Sequence, residues 1–117
     1  IVDDAVKFVE REARRGSVYQ GIILDPPAFG HGAKGERWKL EDMIDGLLAE
    51  VAKLLAPSGA FLVLNCYSLG FSSLILQNLI AGRFAGAAAG LRVGELALAE
   101  KAGGRLLPTG VFARLAR

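Results

Sequence analysis

The sequence has 117 residues, enough for one compact domain and no more. Hydrophobic residues make up 52% of it and charged residues 22%, which excludes a disordered chain, and apolar runs such as 59–64 are far too short to cross a bilayer. A net charge of +2 does not by itself argue for nucleic acid, and the cluster of Arg11, Arg14 and Arg15 reads as an ordinary solvated helix face.

The single cysteine, Cys66, cannot form an internal disulfide, and no basic-then-apolar leader opens the chain. Both features fit a cytoplasmic protein. The chain begins with Ile1 rather than methionine, so a fragment of a longer protein is expected.

In chain order, Ile1-Val2 reads as the end of a buried strand. Asp3 or Asp4 then supplies a helix N-cap, Ala5, Phe8, Val9 and Ala13 recur at helical spacing, and Gly16 closes the helix. Gly21–Leu24 is a short apolar run of the kind found in strands covered on both faces, and Asp25-Pro26-Pro27 stops it because proline cannot donate to a ladder. A glycine-rich segment from Gly30 to Gly35 reads as a flexible loop. A helix over Leu40–Leu55 follows, with Ile44, Leu47, Leu48 and Val51 on one side. After the turn at 57–59, Ala60–Leu64 reads as a second buried strand ending in Asn65-Cys66-Tyr67-Ser68. Ser72 or Ser73 caps a third helix, residues 85–90 are either frayed helix or loop, and Val93–Leu98 and Val111–Leu115 form a closing antiparallel pair.

Strands alternating with helices predict an α/β fold: a partial, doubly wound Rossmann-like sheet, mostly parallel, with an antiparallel C-terminal hairpin. In such sheets ligands bind beyond the carboxyl ends of the strands. Each candidate strand ends in a polar cluster (Asp3-Asp4, Asp25-Pro26-Pro27 and Asn65–Ser68), and the three are expected on one rim.

The segment from Gly21 to Gly30, with Asp25-Pro26-Pro27-Ala28-Phe29 at its centre, resembles the fourth motif of class I S-adenosylmethionine-dependent methyltransferases. The resemblance extends over nearly the whole chain. It points to the family of ribosomal-RNA large-subunit methyltransferases that modify cytosine C5, and to the C-terminal part of their catalytic domain. It implies S-adenosyl-L-methionine as cofactor and RNA, above all ribosomal RNA, as partner. By the same resemblance Asp4, Ala5, Asp25 and Pro26 contact the cofactor, Pro27, Phe29, Lys34 and Tyr67 contact the substrate, and Asp25 and Cys66 are catalytic. The glycine-rich turn and the second-strand acid that hold the cofactor's methionine and ribose in this family have no counterpart among these residues.

The residues themselves are compatible with these roles. Two prolines lock φ near −65°, which makes a rigid corner whose carboxylate and carbonyl can accept from a base amino group while Phe29 stacks on its face. A plain proline turn with Asp25 as a cap is the simpler alternative. Asp4 likewise serves as a structural cap with or without a ligand. Cys66 is either a thiolate nucleophile that adds to cytosine C6 or a small core residue, and Asn65 and Tyr67 stand where the cytosine enzymes carry serines.

Gly30, Gly32 and Gly35 also fit G-x-G-x-x-G, which leaves a nicotinamide-dependent oxidoreductase as one alternative, although two prolines intervene after the strand. A non-catalytic remnant acting as an interaction module is the other. In the loop, Lys34, Arg37 and Lys39 are available for phosphates. His31 has no second ligand nearby, so no metal site is expected. An orphan edge at Ile1-Val2 predicts a poorly stable monomer or a homodimer.

Overall fold

A computed structural model of the chain describes residues 3–32, 35–68 and 70–117. The strand expected at Ile1-Val2 lies outside them. Helix α1 (Ala5–Arg15) begins where the Asp4 carboxylate accepts from the Lys7 N–H at 3.0 Å, and it ends at Gly16, whose φ of 68° suits a residue without Cβ. Asp3, the other candidate cap, pairs with Arg11 at 2.8 Å, which holds its carboxyl below the usual range. Glu12 is buried on this helix. Ser17 Oγ and the Tyr19 hydroxyl donate to its carboxylate at 2.7 and 2.8 Å, tying the helix exit to the next strand.

Strand β1 (Gly21–Leu24) follows and stops at Asp25. The glycine-rich segment is not a loose loop. It folds into an antiparallel hairpin of β2 (Phe29–His31) and β3 (Arg37–Lys39), with Gly30 opposite Trp38. The Gly32 N–H donates to Glu36 at 2.8 Å and the Gly35 N–H to Gly32 at 3.0 Å, with Gly35 at φ 83°, so glycine here permits a tight turn.

Helix α2 (Leu40–Leu54) has no side-chain cap. Its Leu40 N–H is satisfied instead by the Ala28 carbonyl at 3.0 Å, so the hairpin closes onto the helix start. Ile44, Leu47, Leu48, Val51 and Leu54 are buried, as the periodicity requires. Strand β4 (Phe61–Cys66) comes next. Helix α3 (Ser73–Arg83) is capped by Ser72 and braced against α2 by an Arg83–Asp45 ion pair. Residues 85–90 form a loop with one 3-10 turn (Ala87–Ala89), entered through Gly86 at φ 72°. The chain closes with β5 (Leu91–Ala99) and β6 (Leu106–Ala116), longer than their apolar patterning indicated.

The main sheet has the order β1-β4-β6-β5. β1 and β4 are parallel, whereas β6 runs antiparallel to both β4 and β5. Among the described residues the sheet is therefore mixed rather than mostly parallel, because the returning β6 inserts beside β4. Leu62, Leu64 and Cys66 alternate onto the face covered by α2 and α3, together with Val111, Ala113 and Leu115 of β6. The opposite face carries Ile23, Phe61, Val63 and Phe112, and Ile23 is 69% exposed. Helices thus cover one face of the sheet among the described residues, where double winding would cover both.

Candidate functional site

The carboxyl end of β1, the first turn of α1, the β2–β3 hairpin and the inner side of α2 enclose a cavity of about 570 Å³. Asp4, Ala5, Val6 and Lys7 form one wall, and Asp25, Pro26 and Pro27 form the floor. Gly30, His31, Glu36, Arg37 and Trp38 supply the hairpin wall, and Met43 and Leu47 close the back. Two of the three polar clusters expected on a common rim therefore meet in one place. β1 stops at Asp25, and its end faces the same cavity as the start of α1, which packs on α2.

Asp4 uses Oδ1 to cap its helix, and among the described residues no bond is formed at Oδ2. Capping and ligand contact are thus compatible at this residue. The hairpin wall is anchored on both sides. Lys7 of α1 forms an ion pair with Glu36, and the Trp38 indole N–H donates to the Pro27 carbonyl at 2.7 Å. Neither Glu36 nor Trp38 stood out in the sequence as a site residue. A lone aromatic in a glycine-rich stretch carries no spacing signal, and its partner is a main-chain oxygen.

The remaining candidates lie elsewhere. Phe29 is 66% exposed and Tyr67 56% exposed, and neither lines the cavity. Lys34 lies outside the described residues. Lys39 is engaged with Glu41 and Asp42.

Of the two readings of Cys66, thiolate nucleophile or small core residue, its surroundings match the second. It is 1% exposed in the hydrophobic core, on the helix-covered face of β4. Burial, reinforced by the negative charge of Asp25, pushes its thiol up to about 11. Thiolate is the reactive form, so the local field opposes the chemistry proposed for it. Cys66 should therefore react with an alkylating reagent far more slowly than a free thiol at pH 8. Its raised pKa also fixes the sign of a stability effect. Folding favours the protonated thiol, so this contribution is intact below the unfolded-state pKa of about 8.5 and is lost as pH rises toward 11. Equally fast alkylation of folded and denatured protein at pH 8 would contradict this placement.

The G-x-G-x-x-G segment does not form a phosphate cradle. Its glycines belong to the hairpin, and the next helix begins only at Leu40. A dinucleotide fingerprint instead needs the glycine turn to open directly into a helix N-terminus. Among the described residues no cluster of three or more His, Cys, Asp or Glu could hold a metal. Likewise, no helix there is long and apolar enough to cross a membrane.

No protein-family model matches the chain, and no curated protein does. Solved structures match over almost its entire length. A SAM-dependent methyltransferase from Agrobacterium tumefaciens is 39% identical, with a TM-score of 0.87 over 97% of this chain and 38% of its own. SMU.776, solved in complex with SAH, is 16% identical, with a TM-score of 0.69 over 98% of this chain and 30% of its own. M1.HpyAVI, solved with SAM, is also 16% identical, with a TM-score of 0.57 over all of this chain and 54% of its own. The two matches at 16% speak for the fold alone. The architecture is that of a partial Rossmann-like methyltransferase fold, and the chain spans 38% of the Agrobacterium protein.

Proposed function

We propose that these residues form the acceptor side of an S-adenosylmethionine-dependent methyltransferase that modifies a base amino group in RNA. The observation that carries this reading is the meeting of Asp4-Ala5 and Asp25-Pro26-Pro27 in one cavity, in a fold 39% identical to a SAM-dependent methyltransferase. The cavity suits the adenosine end of the cofactor. Apolar Val6, Ile23, Leu24, Met43 and Leu47 flank a flat ligand, and Asp4 Oδ2 is an acceptor for its amino group. When bound, the cofactor supplies an electrophilic methyl group.

The chain's own residues would prepare the acceptor. The Asp25 carboxylate and the Pro26 carbonyl accept from the two amine hydrogens, which orients the nitrogen lone pair. Asp25 also offers a negative charge where positive charge develops on the attacking nitrogen. Exposed Phe29, two residues along the chain from Pro27, offers a stacking surface for the base. Burial of Cys66 favours amine attack over a route that adds a thiolate to cytosine C6 for methylation at C5. The uncovered sheet face with Ile23 and Phe61 fits a larger methyltransferase domain in which further chain packs there. An oxidoreductase is disfavoured by the hairpin geometry of the glycines.

Calorimetric titration of S-adenosylmethionine tests the cofactor half of this reading. Asp4→Ser keeps a helix cap but removes the carboxylate, so stability should change by only a few tenths of a kcal/mol. Affinity should fall about tenfold, equivalent to ~1.4 kcal/mol. Unchanged affinity would remove Asp4 from the site, and a wild-type protein that binds no S-adenosylmethionine would defeat the proposal.

A further inference from the structure

The Asp25-Pro26-Pro27-Ala28 corner has an unusual anchoring problem. Its two prolines have no N–H, so the middle of the corner can be tied down only through bonds to its carbonyls. Two of the three successive carbonyls are engaged. Ala28 accepts from the Leu40 N–H at 3.0 Å and Pro27 from the Trp38 indole at 2.7 Å. Among the described residues, no backbone or side-chain donor reaches the Pro26 carbonyl, the one nearest Asp25.

Trp38 is well placed to act as a fixed post. It lies opposite Gly30 in the β2–β3 ladder, a Cβ built on Gly30 would touch both the Trp38 side chain at 3.6 Å and the Pro27 ring at 3.8 Å, and the hairpin is latched to α1 through Glu36–Lys7. The indole therefore joins three walls of the cavity: β1's end, the hairpin and, through it, α1.

We propose that Trp38 is a positioning residue. By holding the Pro27 carbonyl, it fixes the orientation in which the Pro26 carbonyl and the Asp25 carboxylate meet the acceptor amine. This inference rests on the methyltransferase reading above and adds to it a cavity-wall residue whose indole N–H acts on the acceptor site through the Pro27 carbonyl.

The experiment uses the protein as it occurs in its cell, with S-adenosyl-[methyl-³H]methionine and ribosomal RNA from cells lacking that protein. Trp38→Phe should lower kcat by roughly 10- to 100-fold, the scale of loss when reacting groups are misplaced by about 1 Å. Its affinity for S-adenosylmethionine should stay within about twofold, because the phenyl ring keeps the apolar wall. Benzothienylalanine at position 38 removes the N–H while keeping the ring shape, and serves also if Trp38→Phe folds poorly. It should show the same loss of kcat, whereas 5-fluorotryptophan, which retains the donor, should restore the rate.

The Trp38 indole N–H signal, assigned by its loss in Trp38→Phe, can be followed by hydrogen exchange, where protection is expected. Full kcat in both the Phe and benzothienylalanine variants, or an indole proton that exchanges at the rate of a free one, overturns the role of Trp38. A wild-type protein that neither binds S-adenosylmethionine nor transfers methyl groups overturns the underlying reading instead, and the two failures are therefore distinguishable.

Discussion

Asp25→Asn is expected to reduce methyl transfer by about 10²- to 10⁴-fold, the range lost when a positioned acid–base group is removed. Asparagine has almost the same shape, so the corner made by Pro26 and Pro27 should persist. On the proposed amine-acceptor reading, the variant removes the negative charge beside the attacking nitrogen and one acceptor for the amine hydrogens. The loss should appear in kcat rather than in the affinity for S-adenosylmethionine, because the stabilised charge exists mainly in the transition state. Initial rates with labelled cofactor, combined with calorimetry, separate these quantities. A variant with wild-type kcat would reduce Asp25 to the end-cap of a strand. Cys66 provides an internal control: with the charge of Asp25 removed, the thiol pKa should move down from about 11, since that charge adds to the effect of burial.

The largest stability effect is expected at Phe84. It is 1% exposed and heads the fully buried side chains by volume, where the end of α3 meets the sheet. Phe84→Ala removes most of that volume and leaves a cavity that the surrounding helix end and strands can fill only partly. A cost of about 3–5 kcal/mol follows. Ordinary domains have only about 5–15 kcal/mol in total, and this sheet already leaves one apolar face uncovered among the described residues. The variant should therefore be largely unfolded, or should melt at least ten degrees lower, with ~4–8 °C lost per kcal/mol in a domain near this size. Urea titration followed by circular dichroism measures the change. A midpoint within the error of wild type would mean that α3 does not belong to the cooperative core.

Much of the secondary structure was legible because it follows from local rules. The helical spacing of Ile44, Leu47, Leu48 and Val51, the apolar run at Gly21–Leu24 and the stop at Asp25-Pro26-Pro27 each state an element and its boundary. The Asp4 cap and the Gly16 terminus are likewise local, since both partners lie within one helical turn. The resemblance of the Asp25-Pro26-Pro27 motif pointed to the same floor that the cavity displays.

Other features depended on contacts that no window of sequence contains. The glycines from Gly30 to Gly35 permit a loop or a hairpin equally well. The hairpin is consolidated by Trp38 reaching Pro27, by Leu40 reaching Ala28 and by Lys7 pairing with Glu36, over separations of 11, 12 and 29 residues. Cys66 presented the same ambiguity. A cysteine at a strand end is exposed or buried according to which face it occupies, and the pairing of β4 with β6 turns it into the core beside Val111. The sequence by itself determined the elements, the α/β class and the corner at Asp25, because these depend on backbone propensity and short-range periodicity. Only the tertiary structure decided which polar ends share a cavity, which side of the sheet the thiol faces and which aromatic bonds to the corner. Those outcomes depend on long-range packing, where burial and a single main-chain acceptor outweigh any local preference.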